Sequence, residues 1–177
     1  MTAKRIEAVL RPASVAVVGA SDTPGSIGEV LCRNLREGGF RGPVFYVSPL
    51  HATIGDELSY PDVRSLPQTV DVAIVATPPP TLPTVLEHCG ERGVRGAIIV
   101  SAGFREGGEA GAAWERSMLQ VARRYGLRLL GPNSFGVIRT DNGFNASCGA
   151  ALPKPGRLAL VSQSSALCAA TLDWARS

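Results

Sequence analysis

The sequence predicts an α/β fold with a parallel sheet covered by helices on both faces. Two observations carry this. Short, nearly continuous apolar runs recur through the first 130 residues, and amphipathic segments closed by glycine separate them. A strand with one wet face alternates apolar and polar residues, whereas a strand covered on both faces is apolar throughout, as in parallel sheets.

The elements follow in order. A short helix over residues 3–10 precedes the sheet and stops before Pro12, since the residue ahead of a proline is pushed out of helical space. Residues 14–18, Ser-Val-Ala-Val-Val, form the first strand and run into a glycine. Residues 27–37 place Ile27, Val30, Leu31, Asn34 and Leu35 at helical spacing, and Gly38-Gly39 ends that helix. Residues 44–47, Val-Phe-Tyr-Val, form the second strand. Pro49, Pro61 and Pro67 make residues 48–70 a loop with at most short helical turns. Residues 71–76 form the third strand. Leu82, Val85, Leu86 and Cys89 mark a helix over 82–92, closed by Gly93, with Thr81 as its N-cap. Residues 97–100 form the fourth strand. Trp114, Met118, Val121 and Ala122 mark a helix over 109–125, closed by Gly126, and residues 127–130 form the fifth strand. Right-handed crossovers place helices on both faces and give a doubly wound sheet of order 3-2-1-4-5. The binding crevice of such a sheet lies at the carboxyl ends of the strands, beside the first one, where the order reverses.

After residue 131 the composition shifts to Gly, Pro and Asn, with Leu-Pro-Lys-Pro-Gly at 152–156. A strand at 158–161, a Ser-Gln-Ser-Ser turn and a helix from about Ala166 follow. The expected division is a ligand-binding domain over 1–138, a linker over 139–156, and the truncated start of a second α/β domain over 157–177.

Composition narrows the function. Of 177 residues, 45% are hydrophobic and 19% charged, enough apolar material for a core. The net charge of +3 is spread without a Lys/Arg run, which argues against nucleic acid and suits a small anionic ligand. No apolar stretch approaches the ~20 residues of a membrane span, and no signal peptide is visible, so cytoplasm is the default and no membrane partner is expected. Cys32, Cys89, Cys148 and Cys168 form no C-x-x-C pair and read as reduced thiols. No His/Cys cluster has metal spacing.

The chemistry concentrates where strands end. The first strand leads into Gly19-Ala20-Ser21-Asp22-Thr23-Pro24-Gly25-Ser26-Ile27-Gly28. A glycine-rich turn there brings backbone N–H groups close to a phosphate, and the following helix adds its positive end. Ser21 and Ser26 add hydroxyl donors. The dinucleotide pattern G-x-G-x-x-G is not met, because Ser21 holds the second glycine position. The second strand ends in Val47-Ser48-Pro49-Leu50 without the acid that grips a nicotinamide dinucleotide's ribose. An NAD(P)-binding domain of an oxidoreductase is therefore the alternative, disfavoured but retained. The third strand ends in Thr77-Pro78-Pro79-Pro80, a stiff wall for a base or an extended arm. The fourth ends in Ser101-Ala102-Gly103-Phe104, and the fifth in Gly131-Pro132-Asn133-Ser134. Small, turn-forming residues thus gather on one edge of the sheet. Catalytic groups are scarce. His51 and His88 read as solvated or packed, Asp22 as a cap or solvated, and Glu106 and Glu109 as acids of a helix's first turn.

Five short segments carry a family resemblance: Val-Val-Gly-Ala-Ser at 17–21, Ala-Thr-Pro-Pro at 76–79, Ser-Ala-Gly-Phe at 101–104, Gly-Pro-Asn-Ser at 131–134 and Leu-Val-Ser-Gln-Ser at 160–164. In this order they resemble the N-terminal CoA-binding domain of ADP-forming (NDP-forming) acyl-CoA synthetases, a Rossmann-like domain, and are similar to the succinyl-CoA synthetase α subunit. Arg-Ile-Glu-Ala-Val-Leu-Arg-Pro at 5–12, Gly143-Phe144-Asn145-Ala146-Ser147, and Ser134 after Gly-Pro-Asn look like the branch fused to a GNAT protein lysine acetyltransferase.

The resemblance implies coenzyme A or acetyl-CoA as ligand. Gly19, Ala20, Ser21, Ser26, Ile27 and Gly28 would hold the pyrophosphate, and Val47 and Ser48 would lie near the adenosine. Thr77 and Pro78 would line the nucleotide, Ser101, Ala102, Gly103 and Phe104 the pantetheine, and Asn133 would sit near the thiol. Leu50 stands where relatives often carry Lys, which motivates a further alternative, a regulatory domain with a vestigial pocket. The Ser162-Gln163-Ser164-Ser165 turn looks like a helix N-terminus at which synthetases dock a phosphohistidine. That histidine, an ATP-grasp domain and a GNAT domain have no match here. The implied partners are CoA or acyl-CoA and the remaining synthetase or acetyltransferase domains of a parent protein, with a homodimer left open and no catalytic residue assigned to this chain.

Overall fold

The computed structural model describes residues 3–150 and 152–175. Seven strands form one sheet: β1 (Val15–Val18), β2 (Val44–Val47), β3 (Thr53–Ile54), β4 (Glu57–Tyr60), β5 (Val72–Val75), β6 (Gly96–Ile99) and β7 (Arg128–Leu130). Their order is β3-β4-β2-β1-β5-β6-β7. All neighbours run parallel except β3, which pairs antiparallel with β4. Helices α1 (Ala3–Leu10), α2 (Ile27–Glu37), α3 (Leu82–Glu91) and α4 (Gly108–Tyr125) cover it, and α5 (Ser165–Trp174) follows at the end.

Alternate residues of each strand enter two separate cores, which is why the strands read as unbroken apolar runs. Val15, Val17, Tyr46, Val72, Ile74 and Ile98 pack with Leu31, Cys32 and Leu35 of α2 and Val9 of α1. Ala16, Val18, Val47, Ala73, Val75, Ala97 and Ile99 pack on the opposite side with Leu82, Leu86 and Cys89 of α3 and Met118 and Val121 of α4.

The doubly wound class and the outline of the expected order hold, with a change of membership. The third position belongs to β4, so the run at 71–76 lies on the other side of β1, in fourth place. Residues 48–70 are therefore not a plain loop: they carry β3 and β4, and a short 3-10 turn at Val63–Ser65. This edge is weakly encoded because only one face is buried, with Ile54 enclosed while Glu57 and Leu58 face solvent. At the start of α3 the expected Thr81 cap makes no side-chain bond to the helix. A 3-10 turn at Pro79–Thr81 precedes α3, and the Thr81 hydroxyl donates to Pro78 O at 2.7 Å.

The Gly/Pro/Asn-rich stretch beyond residue 131 is also more ordered than its composition suggests. β8 (Gly136–Arg139) and β9 (Phe144–Ser147) form an antiparallel hairpin whose second strand is fully buried against α2. Its polar residues hide this from a hydropathy reading, because the Ser147 hydroxyl donates to Asn145 Oδ1 at 2.6 Å inside the packing. Residues 158–161, expected as a strand, pair with no strand among the described residues, and Leu158 and Val161 are 95% and 98% exposed. A strand needs a neighbour for its N–H and C=O groups, and none lies alongside.

Candidate functional site

The loop from β1 to α2 is built by its own backbone. Gly19, at φ +88°, and Ala20 donate to Val47 O at 2.9 and 3.2 Å. The loop then crosses beneath the start of α2, where a Cβ on Gly28 would run into the Gly19 carbonyl oxygen, so only glycine permits the approach. Ser21 uses its hydroxyl to accept from Thr23 N at 3.0 Å, and Ser26 caps α2 by accepting from Glu29 N at 3.2 Å. Asp22 is pinned rather than free: its Oδ2 accepts from Gly55 N at 2.9 Å, tying the loop to the β3–β4 turn.

The first amides of α2 are left available. Ile27 and Gly28 occupy its first two positions, where no intrahelical acceptor exists, and neither donates to another described group. They form an N–H cluster at the positive end of a helix, the local chemistry that grips an anion.

The neighbouring strand ends are tied in a row. Ala76 N donates to Val18 O at 2.8 Å, the Ser101 hydroxyl to Thr77 O at 2.6 Å, and Asn133 N to Ser101 O at 2.9 Å. Thr77 and Thr81 share a hydroxyl–hydroxyl bond of 2.9 Å, and the Thr77 methyl lies against Gly19. All of these residues stand at the carboxyl rim. The order in which strands are added reverses between the parallel neighbours β1 and β5, so Gly19 and Thr77 flank the switch point.

The structure thus gathers the residues picked from sequence and sorts them. Ile27, Pro78, Ala102 and Asn133 are exposed along the rim, and Gly19, Ser21, Ser26, Thr77 and Gly103 are half-buried. Ala20, Gly28, Val47, Ser48, Ser101 and Phe104 are buried. Phe104 keeps its ring in the core, and Val47 acts through its carbonyl. Ser48 accepts from Leu50 N at 3.4 Å in a tight turn that leaves Leu50 83% exposed. Asn133 holds a left-handed backbone, φ +52°, and its side chain is exposed on the rim. Glu106 Oε1 accepts from Gly103 N at 2.7 Å, which holds its carboxyl below the usual range.

Sequence reasoning missed the Asp22–Gly55 tie, because the hairpin that supplies Gly55 reads as loop. It also missed the thiol under the β1–α2 turn. Burial pushes Cys32 up to about 11, partly offset by a backbone hydrogen bond from Ser21. Two surface clefts lie away from the rim, one lined by Ile6, Glu7, Leu10, Arg11 and Arg139, the other by Asn34, Glu37, Gly38, Asn145 and Leu152. The rim is marked instead by the exposed Ile27, Pro78, Ala102 and Asn133. No helix among the described residues is long and apolar enough to cross a membrane.

Comparison with known proteins agrees with this geometry. Residues 13–140 match the CoA binding domain family. The chain is 41% identical over 171 residues to acetate–CoA ligase (ADP-forming) I of Archaeoglobus fulgidus, covering 97% of this chain and 25% of that protein. It is 43% identical over 173 residues to the α subunit of acetate–CoA ligase (ADP-forming) I of Pyrococcus furiosus, covering 96% of this chain and 37% of the subunit. Among solved structures, dinucleotide-forming acetyl-CoA synthetase 1 of Ca. Korarchaeum cryptofilum, in complex with phosphate and ADP, superposes with a TM-score of 0.89 at 36% identity, over 96% of this chain and 36% of that one. The chain therefore spans a quarter to somewhat over a third of these three relatives, and it belongs to the CoA-binding domain family as found in ADP-forming acyl-CoA synthetases.

Proposed function

We propose that this chain binds CoA or an acyl-CoA such as acetyl-CoA along the carboxyl rim, as the coenzyme-holding part of an ADP-forming acyl-CoA synthetase. The observation that carries the reading is the pair of unpaired amides of Ile27 and Gly28 beside Gly19, at the switch point of the sheet. A diphosphate placed there meets two backbone donors that no described protein acceptor uses. The adenosine then lies towards Val47 and Ser48, and the pantetheine runs past Thr77 and Ala102–Gly103 towards Asn133. No step of bond making is assigned to this chain's residues; its work is to bind, orient and shield. The relatives reported above carry ligase names, which favours the synthetase side of the expectation over the acetyltransferase-fused side.

Residues 157–177 are part of the same proposal, as the opening of a second domain. The nearly bare Leu158 and Val161, and Trp174 at 73% exposure, supply apolar surface for further chain to cover. The reduced thiols suit the cytoplasm. Calorimetric titration with CoA, acetyl-CoA, NADH and ADP tests the ligand: heat with both CoA species is expected, and heat with NADH alone overturns the proposal.

A further inference from the structure

The free amides of Ile27 and Gly28 serve a ligand only if α2 is held at the right pitch, and the structure shows what holds it. One restraint is the Gly28–Gly19 approach at its first turn. The other lies two turns further on, at Asn34. Its Nδ2 donates to Ser147 O at 2.9 Å and to Gly149 O at 2.7 Å, across 113 and 115 residues of sequence. Asn34 is buried, as is Ser147. Asparagine is an indifferent helix former, so its place inside α2 is explained by this tertiary contact rather than by propensity. Just below, the backbones of Gly38 and Gly143 touch, leaving no room for a Cβ on Gly143 against the Gly38 carbonyl.

The partner segment also belongs to the groove. Ser147 and Gly149 close the hairpin that opens at Gly136, directly after the rim loop carrying Asn133. That loop is tied to β6 through Asn133 N and Ser134 N, which donate to Ser101 O and Ile99 O. Asn34 therefore links the helix at one end of the groove to the segment that carries its other end. Both donors of one amide are consumed, and a carboxylate of the same shape would set an anion against two carbonyl oxygens.

We infer that Asn34 is a positioning residue for the ligand groove: through Ser147 O and Gly149 O it fixes α2 so that the Ile27 and Gly28 amides and Asn133 face one extended ligand. The inference rests on the reading of this groove as a CoA site, and its test separates the two. Asn34→Ala and Asn34→Asp are compared with the wild-type chain and with Val121→Ala, a core change on α4 on the opposite face. Each is assayed at a temperature where circular dichroism shows it folded. CoA affinity is expected to fall about tenfold in both Asn34 variants, the low end of losing an orienting contact. Binding of pantetheine alone is expected within twofold of wild type, and Val121→Ala lowers Tm without changing CoA affinity. A second readout needs no ligand: the backbone 15N–1H resonances of Ile27 and Gly28 shift in Asn34→Ala and stay in place in Val121→Ala. Unmoved resonances, or unchanged CoA affinity in a folded Asn34→Ala, overturn the inference. If the wild-type chain itself ignores CoA, the ligand assignment falls, and the resonances still decide the role of Asn34.

Discussion

Gly28 is the residue on which the β1–α2 turn closes. Replacing it with alanine drives a methyl group into the Gly19 carbonyl, so the loop must move and the two free amides move with it. Losing one or two hydrogen bonds to a charged oxygen costs about 1.5–3 kcal/mol each, and 1.4 kcal/mol is one decade of affinity. Gly28→Ala is expected to weaken CoA binding by about tenfold or more in titration calorimetry. Asp22 acts with opposite sign. It pins the loop through Gly55, yet it carries a negative charge in the same loop as the proposed diphosphate contacts. Asp22→Asn keeps an acceptor for Gly55 and removes the charge, so affinity is expected to rise about two- to threefold at low salt and converge with wild type at high salt. Three buried groups set an alkaline limit. Burial pushes Cys32 up to about 11, Cys89 to about 12 and Tyr46 to about 12. A group whose pKa is raised on folding stabilises below its unfolded value, and the contribution is lost as pH climbs through the folded value. Tm is therefore expected to be flat with respect to these groups up to about pH 9 and to fall from there towards about pH 12. A flat Tm across that window contradicts the assigned burial.

Among the elements, those buried on both sides announce themselves and those buried by polar groups do not. β1, β5 and β6 read directly from their apolar runs, and α2 from its spacing and its Ser26 cap. β4 escaped because half its residues face water at the sheet's edge. β9 escaped because Asn145 and Ser147, two polar letters, satisfy each other inside the packing. The same distinction governs the groove. Its small rim residues were legible, since close backbone approach demands them. The fixtures behind the rim, Gly55 for Asp22 and Ser147–Gly149 for Asn34, come from those two concealed elements. The hairpin earns a prediction of its own. The Phe144 ring is fully enclosed on α2 and lies 5.4 Å from Phe40, centroid to centroid. Phe144→Ala is expected to cost about 3–5 kcal/mol of stability, read from denaturant unfolding. A cost below 1 kcal/mol would show that the hairpin is an appendage.

At the scale of the molecule, the aligned part of this chain is 25% and 37% of the two ligase relatives, which agrees with a module that holds a coenzyme for work done elsewhere. The apolar surface of 158–174 gives that view a direct check. In dilute solution the segment is expected to be cut by protease well before the sheet, and protection there would mean it already has a partner. The grip of Asn34 on residues 147 and 149 has one more consequence, in time rather than in space. Translation makes α2 near the beginning of the chain and its anchor more than a hundred residues later. A nascent chain still carrying residues 140–150 inside the ribosome can form the early strands, but its α2 has neither Phe144 nor the two carbonyls to settle against. Ligand capture during synthesis is thus expected to begin only once residue 150 has emerged, so stalled chains of increasing length should acquire CoA retention in one late step.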